Sequence, residues 1–242
     1  MKIYVVGLGP GGPEQMTNRA QEALRKSDIL VGYTLYIDLI KDQFPDKKLI
    51  ATPMKKEVDR CRTAVEKALE GATVAVVSSG DAGVYGMAGI VLELAEPYPF
   101  LEVEVIPGIT AACSGAAVLG APLIHDFAVI SLSDLLTPWE KIEARLAAAA
   151  QGDFVIVLYN PSSIKRHDYL KKACDIVMRH QNANLPSGIV RSIGREGENY
   201  EIVSSLTELR EKKVDMFTTV IIGNSQTRVI NNKLVTPRGY RK

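Results

Sequence analysis

Three short stretches carry the chemistry this chain can do: VVGLGPGG (residues 5–12), SSGDAGVYGMAG (78–89) and VIPGITAACSGAAVLG (105–120). Each closes an apolar run with very small side chains. Glycine lets a ligand or a second backbone approach the main chain closely. The one acid among them, Asp81, adds a hydrogen-bond acceptor or orients its loop. The bland alternatives are a tight turn, a helix N-cap at Asp81 or Thr110, and close packing of a helix on a sheet. Three such loops after three strands point to one shared crevice in which backbone holds a cofactor.

Other chemistries fit less well. Gly7, Gly9 and Gly12 form a GxGxxG, a dinucleotide fingerprint when strand and helix flank it closely. Pro10 and Pro13 remove N–H groups where a pyrophosphate needs them. The next helix is expected to start only near Thr17, and the second strand ends on Tyr33 rather than an acid. No GK[ST] follows the second stretch, and the chain holds no GxSxG and no HExxH. His125, His167 and His180 lie apart, and Cys61, Cys113 and Cys174 form no CxxC, so no metal centre is expected. Methyl transfer from a sulfonium suits such an inventory, because the cofactor carries the hard chemistry. The protein then aligns the reacting atoms and excludes water.

The elements that position these loops are readable from periodicity. KIYVVG, ILVGY and TVAVVS read as strands, the last without alternation and so buried on both faces. EVEVI alternates, which predicts one wet face. TNRAQEALRKSD places Ala20, Ala23 and Leu24 on one helical face behind Thr17 as N-cap. VDRCRTAVEKALEG sets Val58, Cys61, Val65, Ala68 and Leu69 inward and ends at Gly71. Strands interleaved with helices imply right-handed crossovers, a mostly parallel sheet, and a ligand crevice beyond the strands' carboxyl ends. Gly120, Ala121 and Pro122 read as a hinge. Beyond it, FAVISL, WEKIEARLAAAA, FVIVLY, DYLKKACDIVMRH, GIVRSI, EIVSS and TTVIIG compose a second αβ unit of about 100 residues. GIVRSI and YEIVSS are expected to pair as a hairpin across the REGE turn.

Bulk properties narrow the class. The 242 residues hold 29 basic against 28 acidic side chains, a net charge of +1, with 46% hydrophobic content. Near-neutrality gives no support for nucleic-acid or membrane partners. Three dispersed cysteines suit a reducing compartment, and no apolar run approaches a signal core or membrane span. A cytoplasmic protein is expected.

The order GxGPGG…T, SGDxxxYG, PGIT and VLYNPSS resembles the tetrapyrrole methylases across essentially the whole chain. GYTLYIDLI, GAPLIHDFAVISLSDLLTPWE and the ending LVTPRGY further resemble the precorrin-3B or cobalt-factor III C-17-methyltransferases of cobalamin biosynthesis. Ala82 stands where the broader family often has proline, and GDAG is usual in this ring-contracting subgroup. Met16 replaces a common leucine at similar volume.

This resemblance implies an α/β fold of two αβ domains, residues 1–120 and 121–242, with S-adenosyl-L-methionine bound in a cleft between them. Carried over by position, Pro10, Gly80, Asp81, Val84, Thr110 and Ala111 would contact the cofactor. From the second domain, Tyr159, Asn160, Ser192 and Gly223 would surround the adenosine. The acceptor would be a tetrapyrrole bearing many carboxylates, which wants cationic partners. Lys165 and Arg166 are candidates, as are Lys55, Lys56 and Arg238. Ser133 and Asp134 are candidate contacts near the reacting ring. Ring contraction needs proton transfer, for which His125, Asp126, Asp134, Tyr33 and Tyr36 are open candidates. The resemblance also implies a homodimer. A methylase of the same fold acting on ribosomal RNA or diphthamide, and a non-catalytic module binding S-adenosylmethionine or a nucleotide, are the alternatives.

Overall fold

The apolar run Lys2–Gly7 forms β1, which pairs in parallel with strands on both sides. The computed structural model describes residues 1–163 and 167–240. After β1 come α1 (Asn18–Lys26), β2 (Ile29–Tyr33), α2 (Thr34–Asp38), β3 (Lys48–Thr52), α3 (Glu57–Leu69), β4 (Thr73–Ser78), α4 (Ala88–Ala95) and β5 (Glu102–Ile106). All pairings in this sheet are parallel and the order is β3-β2-β4-β1-β5. The glycine-rich exits of β4, β1 and β5 are therefore neighbours on one sheet edge.

The absence of alternation in TVAVVS has the expected cause: helices cover both faces. Val74 and Val76 pack with Cys61, Ala64 and Val65 of α3 and Val91 of α4. Ala75 and Val77 pack with Ala20 and Leu24 of α1. The Thr17 hydroxyl accepts from the Ala20 N–H at 3.1 Å, capping α1 as expected. Two details differ. On the first turn of α3 the buried side chain is Arg60, 3% exposed, while Val58 is 47% exposed. β5 is an edge strand on which neither face is fully covered; Val105 is exposed, and Glu104 pairs with Lys2 and Arg19.

A second compact unit runs from Ala111 to Lys242, the first being Met1–Thr110. The division thus falls ten residues before the 120/121 boundary read from the sequence, because α5 (Ala111–Leu119) packs Ala112, Ala116 and Leu119 against Val157, Val190 and Ile221 of the second sheet. The remaining elements are β6 (Gly120–Ala121), β7 (Phe127–Ser131), α6 (Trp139–Gln151), β8 (Val155–Tyr159), α7 (Tyr169–Met178), β9 (Ser187–Arg191), β10 (Asn199–Val203), α8 (Leu206–Leu209), β11 (Thr218–Ile222), β12 (Arg228–Ile230) and β13 (Lys233–Val235).

The second sheet, ordered β10-β9-β11-β8-β7, is mixed. Between neighbours only β7 and β8 pair in parallel; β11 is antiparallel to both β8 and β9, so β9 runs in the direction of β8, and β9 and β10 form the expected antiparallel hairpin. The Gly120–Ala121 segment is not a free hinge. It is β6, held in parallel register against β13 by the Leu234↔Gly120 and Val235↔Ala121 pairs. β12 and β13 are joined by Asn231 and Asn232, both at positive φ (48° and 58°), the conformation of a tight hairpin turn.

Candidate functional site

The three glycine loops of the first unit interlock through their main chains. Gly9 and Gly80 exchange two hydrogen bonds, Gly9 N–H to Gly80 O at 3.0 Å and Gly80 N–H to Gly9 O at 2.7 Å. Both sit at positive φ, 76° and 68°, where a Cβ is strained. A Cβ on Gly7 would lie 2.6 Å from Gly80 O and 2.7 Å from Gly108 N. One on Gly108 would lie 2.1 Å from Gly80 O. The exits of β1, β4 and β5 thus meet with no space between them for even a methyl group.

Asp81 fastens this junction. Its Oδ1 accepts from Gly83 N–H at 2.7 Å and Val84 N–H at 3.1 Å, turning the loop tip back on itself. Its Oδ2 accepts from Gly108 N–H at 3.0 Å, across to the loop after β5. α4 begins at Ala88 behind Met87, so Asp81 is not its N-cap. Beyond the clamp, Val84 and Tyr85 are exposed, Tyr85 at a φ of 53°. Pro10 is buried beside Gly9, and Thr110 is half-buried at the end of the third loop. The helix α1 starts behind Thr17 and not at the last glycine, which removes the anion-binding helix end a dinucleotide site requires.

In the second unit, the carboxyl ends of β7, β8 and β9 share one sheet edge. The Tyr159 hydroxyl accepts from Ala112 N–H at 2.6 Å, closing the first turn of α5, whose first residue is Ala111. Asn160, at a φ of 52°, donates from Nδ2 to Ser131 Oγ at 3.0 Å. Ser131 Oγ also accepts from Ser133 N–H at 3.2 Å. Ser192, at a φ of 52°, follows β9 on the same edge. Asp134 Oδ2 accepts from the Tyr169 hydroxyl at 2.6 Å, and Tyr169 lies against Trp139 with ring centroids 4.5 Å apart. That anchoring partner gave no signal in the sequence, being 35 residues away.

Gly223 lies elsewhere. It follows β11, which is antiparallel to β8, so it sits at the opposite edge, on the order of 15 Å away at about 3.3 Å per residue. It is buried, donates to Pro186 O at 3.1 Å, and a Cβ there would meet Thr227 at 2.6 Å. His125 and Asp126 precede β7 and are exposed at that same far edge. Lys165 and Arg166 lie outside the described residues. Among the described residues no group of three or more His, Cys, Asp or Glu side chains is arranged to hold a metal ion. Burial pushes the thiols of Cys61 and Cys174 up to about 11 and about 12. No helix among the described residues is long and apolar enough to cross a membrane.

The chain is similar over its length to known proteins. The family model for Tetrapyrrole (Corrin/Porphyrin) Methylases matches residues 2–210. A Salmonella typhimurium protein named "Probable cobalt-factor III C(17)-methyltransferase" is 48% identical over 239 residues, 98% of this chain and 99% of that one. A Priestia megaterium "Cobalt-factor III methyltransferase" is 45% identical over 246 residues, and this chain spans 45% of its length. The crystal structure of the methyltransferase CobJ superposes with a TM-score of 0.90 at 36% identity, covering 97% of this chain and 99% of that one. With the family model matching residues 2–210 and a relative 48% identical over nearly the full length of both chains, the chain belongs to the tetrapyrrole methylases.

Proposed function

We propose that this protein is an S-adenosylmethionine-dependent C-methyltransferase that methylates C-17 of a precorrin, with ring contraction, in cobalamin biosynthesis. The observation that carries the reading is the 48% identity to the Salmonella protein over 98% of one chain and 99% of the other. That likeness spans both units of the chain and supports a shared reaction as well as a shared fold.

The residues fit the cofactor. The Gly7–Gly80–Gly108 junction is close-packed main chain that fixes the three loops, and Asp81 holds the Gly83 and Val84 amides in one geometry at its exposed tip. Pro10, Gly80, Asp81, Val84 and Thr110 of the first unit would hold the cofactor. Ala111, Tyr159, Asn160 and Ser192 of the second unit are the remaining proposed contacts; Gly223, at the far sheet edge, is left out. When bound, S-adenosylmethionine supplies a methyl group on a positively charged sulfur, already activated for transfer to a carbon nucleophile. What the chain adds is alignment and exclusion of water. Exposed Val84 and Tyr85 would cover the reacting region, and Ser133 and Asp134 would border the macrocycle.

We infer a cytoplasmic homodimer acting on a small-molecule tetrapyrrole and not on nucleic acid; the net charge of +1 supports the last point. The direct test is anaerobic incubation with S-adenosylmethionine and either cobalt-factor III or precorrin-3B, followed by mass and absorption spectra. A product heavier by one methyl supports the reading. Unchanged acceptor in both incubations, with S-adenosylmethionine bound, refutes it.

A further inference from the structure

Arg60 is a buried cation that lies outside the apolar clusters of the first unit and outside the glycine loops. Its side chain leaves the first turn of α3 and reaches the exits of three strands. Nε donates to Thr52 Oγ1 at 2.7 Å, at the end of β3, and one terminal nitrogen donates to Pro53 O at 3.0 Å. The other lies 3.9 Å from Met87 Sδ, the last residue before α4. The guanidinium carbon sits 5.9 Å from the centre of the Tyr33 ring, at the end of β2, and Tyr33 meets Tyr36 edge to face at 5.3 Å. No carboxylate among the described residues pairs with it. A buried charge ordinarily has a countercharge, so Arg60 leaves positive charge unneutralised at this edge.

The sheet order gives this edge two halves. The exits of β4, β1 and β5 are the interlocked glycine loops. Beside them, the exits of β2 and β3 carry the Tyr33–Tyr36 pair and the turn through Lys55 and Lys56. That turn is strained: Lys55 sits at a φ of 66°, while its N–H donates to Glu57 Oε1 at 3.2 Å. Strain of this kind persists only where the surroundings impose it, and the Arg60 bonds to Thr52 and Pro53 hold the residues that lead into this turn. Ser78, in the strand next to β2, adds a buried hydroxyl with no hydrogen-bond partner among the described residues.

We propose that Arg60 is a positioning residue for the acidic macrocycle. It holds the Tyr33 ring and the Pro53–Lys56 turn in place and supplies this edge with positive charge, so that the β2 and β3 exits receive the tetrapyrrole while the glycine loops receive the methyl donor. The inference rests on the proposed substrate class.

The test compares wild type with Arg60→Met, Arg60→Lys and Thr52→Val. Absorption titration with cobalt-factor III in the presence of S-adenosylhomocysteine reads macrocycle affinity without turnover. Calorimetry with S-adenosylhomocysteine alone reads the cofactor site. Arg60→Met is expected to weaken the macrocycle at least tenfold and the cofactor less than twofold, with Arg60→Lys recovering part of the loss. Thr52→Val, which keeps the side chain's shape and removes the Nε acceptor, is expected to weaken the macrocycle about threefold. Combined with Arg60→Met, it should add little further loss. If Arg60→Met does not fold, Thr52→Val and Arg60→Lys decide the matter by the same two readouts. Unchanged macrocycle affinity, or equal losses at both sites, overturns the proposal. A wild type that binds the macrocycle but never methylates it refutes the functional reading and leaves this comparison readable.

Discussion

Replacing Asp81 separates the clamp from the mere presence of a polar side chain. In Asp81→Ala three amides lose their acceptor: Gly83 at 2.7 Å, Val84 at 3.1 Å and Gly108 at 3.0 Å. Gly83 and Val84 are exposed, so water replaces the carboxylate at little cost. Gly108 is half-buried, and its bond to a charged group is worth roughly 1.5–3 kcal/mol. A loss of about 2 kcal/mol corresponds to roughly 30-fold in the fraction of molecules whose loops are held together. Cofactor affinity, measured by calorimetry with S-adenosylhomocysteine, should fall by about that factor. For a chain of this size Tm should drop by roughly 4–8 °C. Asp81→Asn is the sharper variant. Its single oxygen serves either the Gly83 and Val84 side or the Gly108 side, and its amide then faces another N–H. It should therefore behave nearly as badly as alanine. Asparagine binding with wild-type affinity would show that the bond across to Gly108 does not hold the site.

Gly108→Ala places a carbon 2.1 Å from Gly80 O and 2.6 Å from Gly7 O, all backbone; binding of S-adenosylhomocysteine should disappear in calorimetry. Tyr159→Phe removes the acceptor of the Ala112 N–H and should lower Tm by about 2–4 °C in a melting curve. Native protein treated with iodoacetamide at pH 8 should label Cys113 alone by mass spectrometry. Cys61 and Cys174 are buried, with thiols raised to about 11 and about 12, so their reactive thiolate appears only as the pH climbs far above neutrality.

Periodicity revealed most of this architecture, because helices that bury one stripe and strands buried on both faces leave patterns in apolar spacing. Ala20, Ala23 and Leu24 lie inward in α1 as the spacing implies. Val58 and Arg60 exchange places because spacing measures polarity alone. A cation with a hydroxyl, a carbonyl and an aromatic face around it can be buried where a valine is not. The convergence of the glycine loops was legible as three similar strand exits. The Asp81–Gly108 bond was not, since 27 residues separate its ends and either residue alone reads as an ordinary turn. Gly223 was placed by its local sequence, which does not encode that β11 runs opposite to β8. The β12–β13 hairpin did have a signal, the Asn231–Asn232 pair between two apolar runs.

The pairing of β6 with β13 also sets an order of events. Residues 120 and 121 wait for residues 234 and 235, and Lys233 Nζ reaches back to Val118 O at 2.9 Å. A ribosome delivers the parallel sheet of the first unit long before it delivers that partner. Until the β12–β13 hairpin emerges, the Gly120–Ala121 edge lacks its partner strand and the seat of Leu234 beneath α5 stays open. In a nascent or truncated chain the backbone groups of Gly120 and Ala121 that β13 pairs in the complete fold are left to solvent.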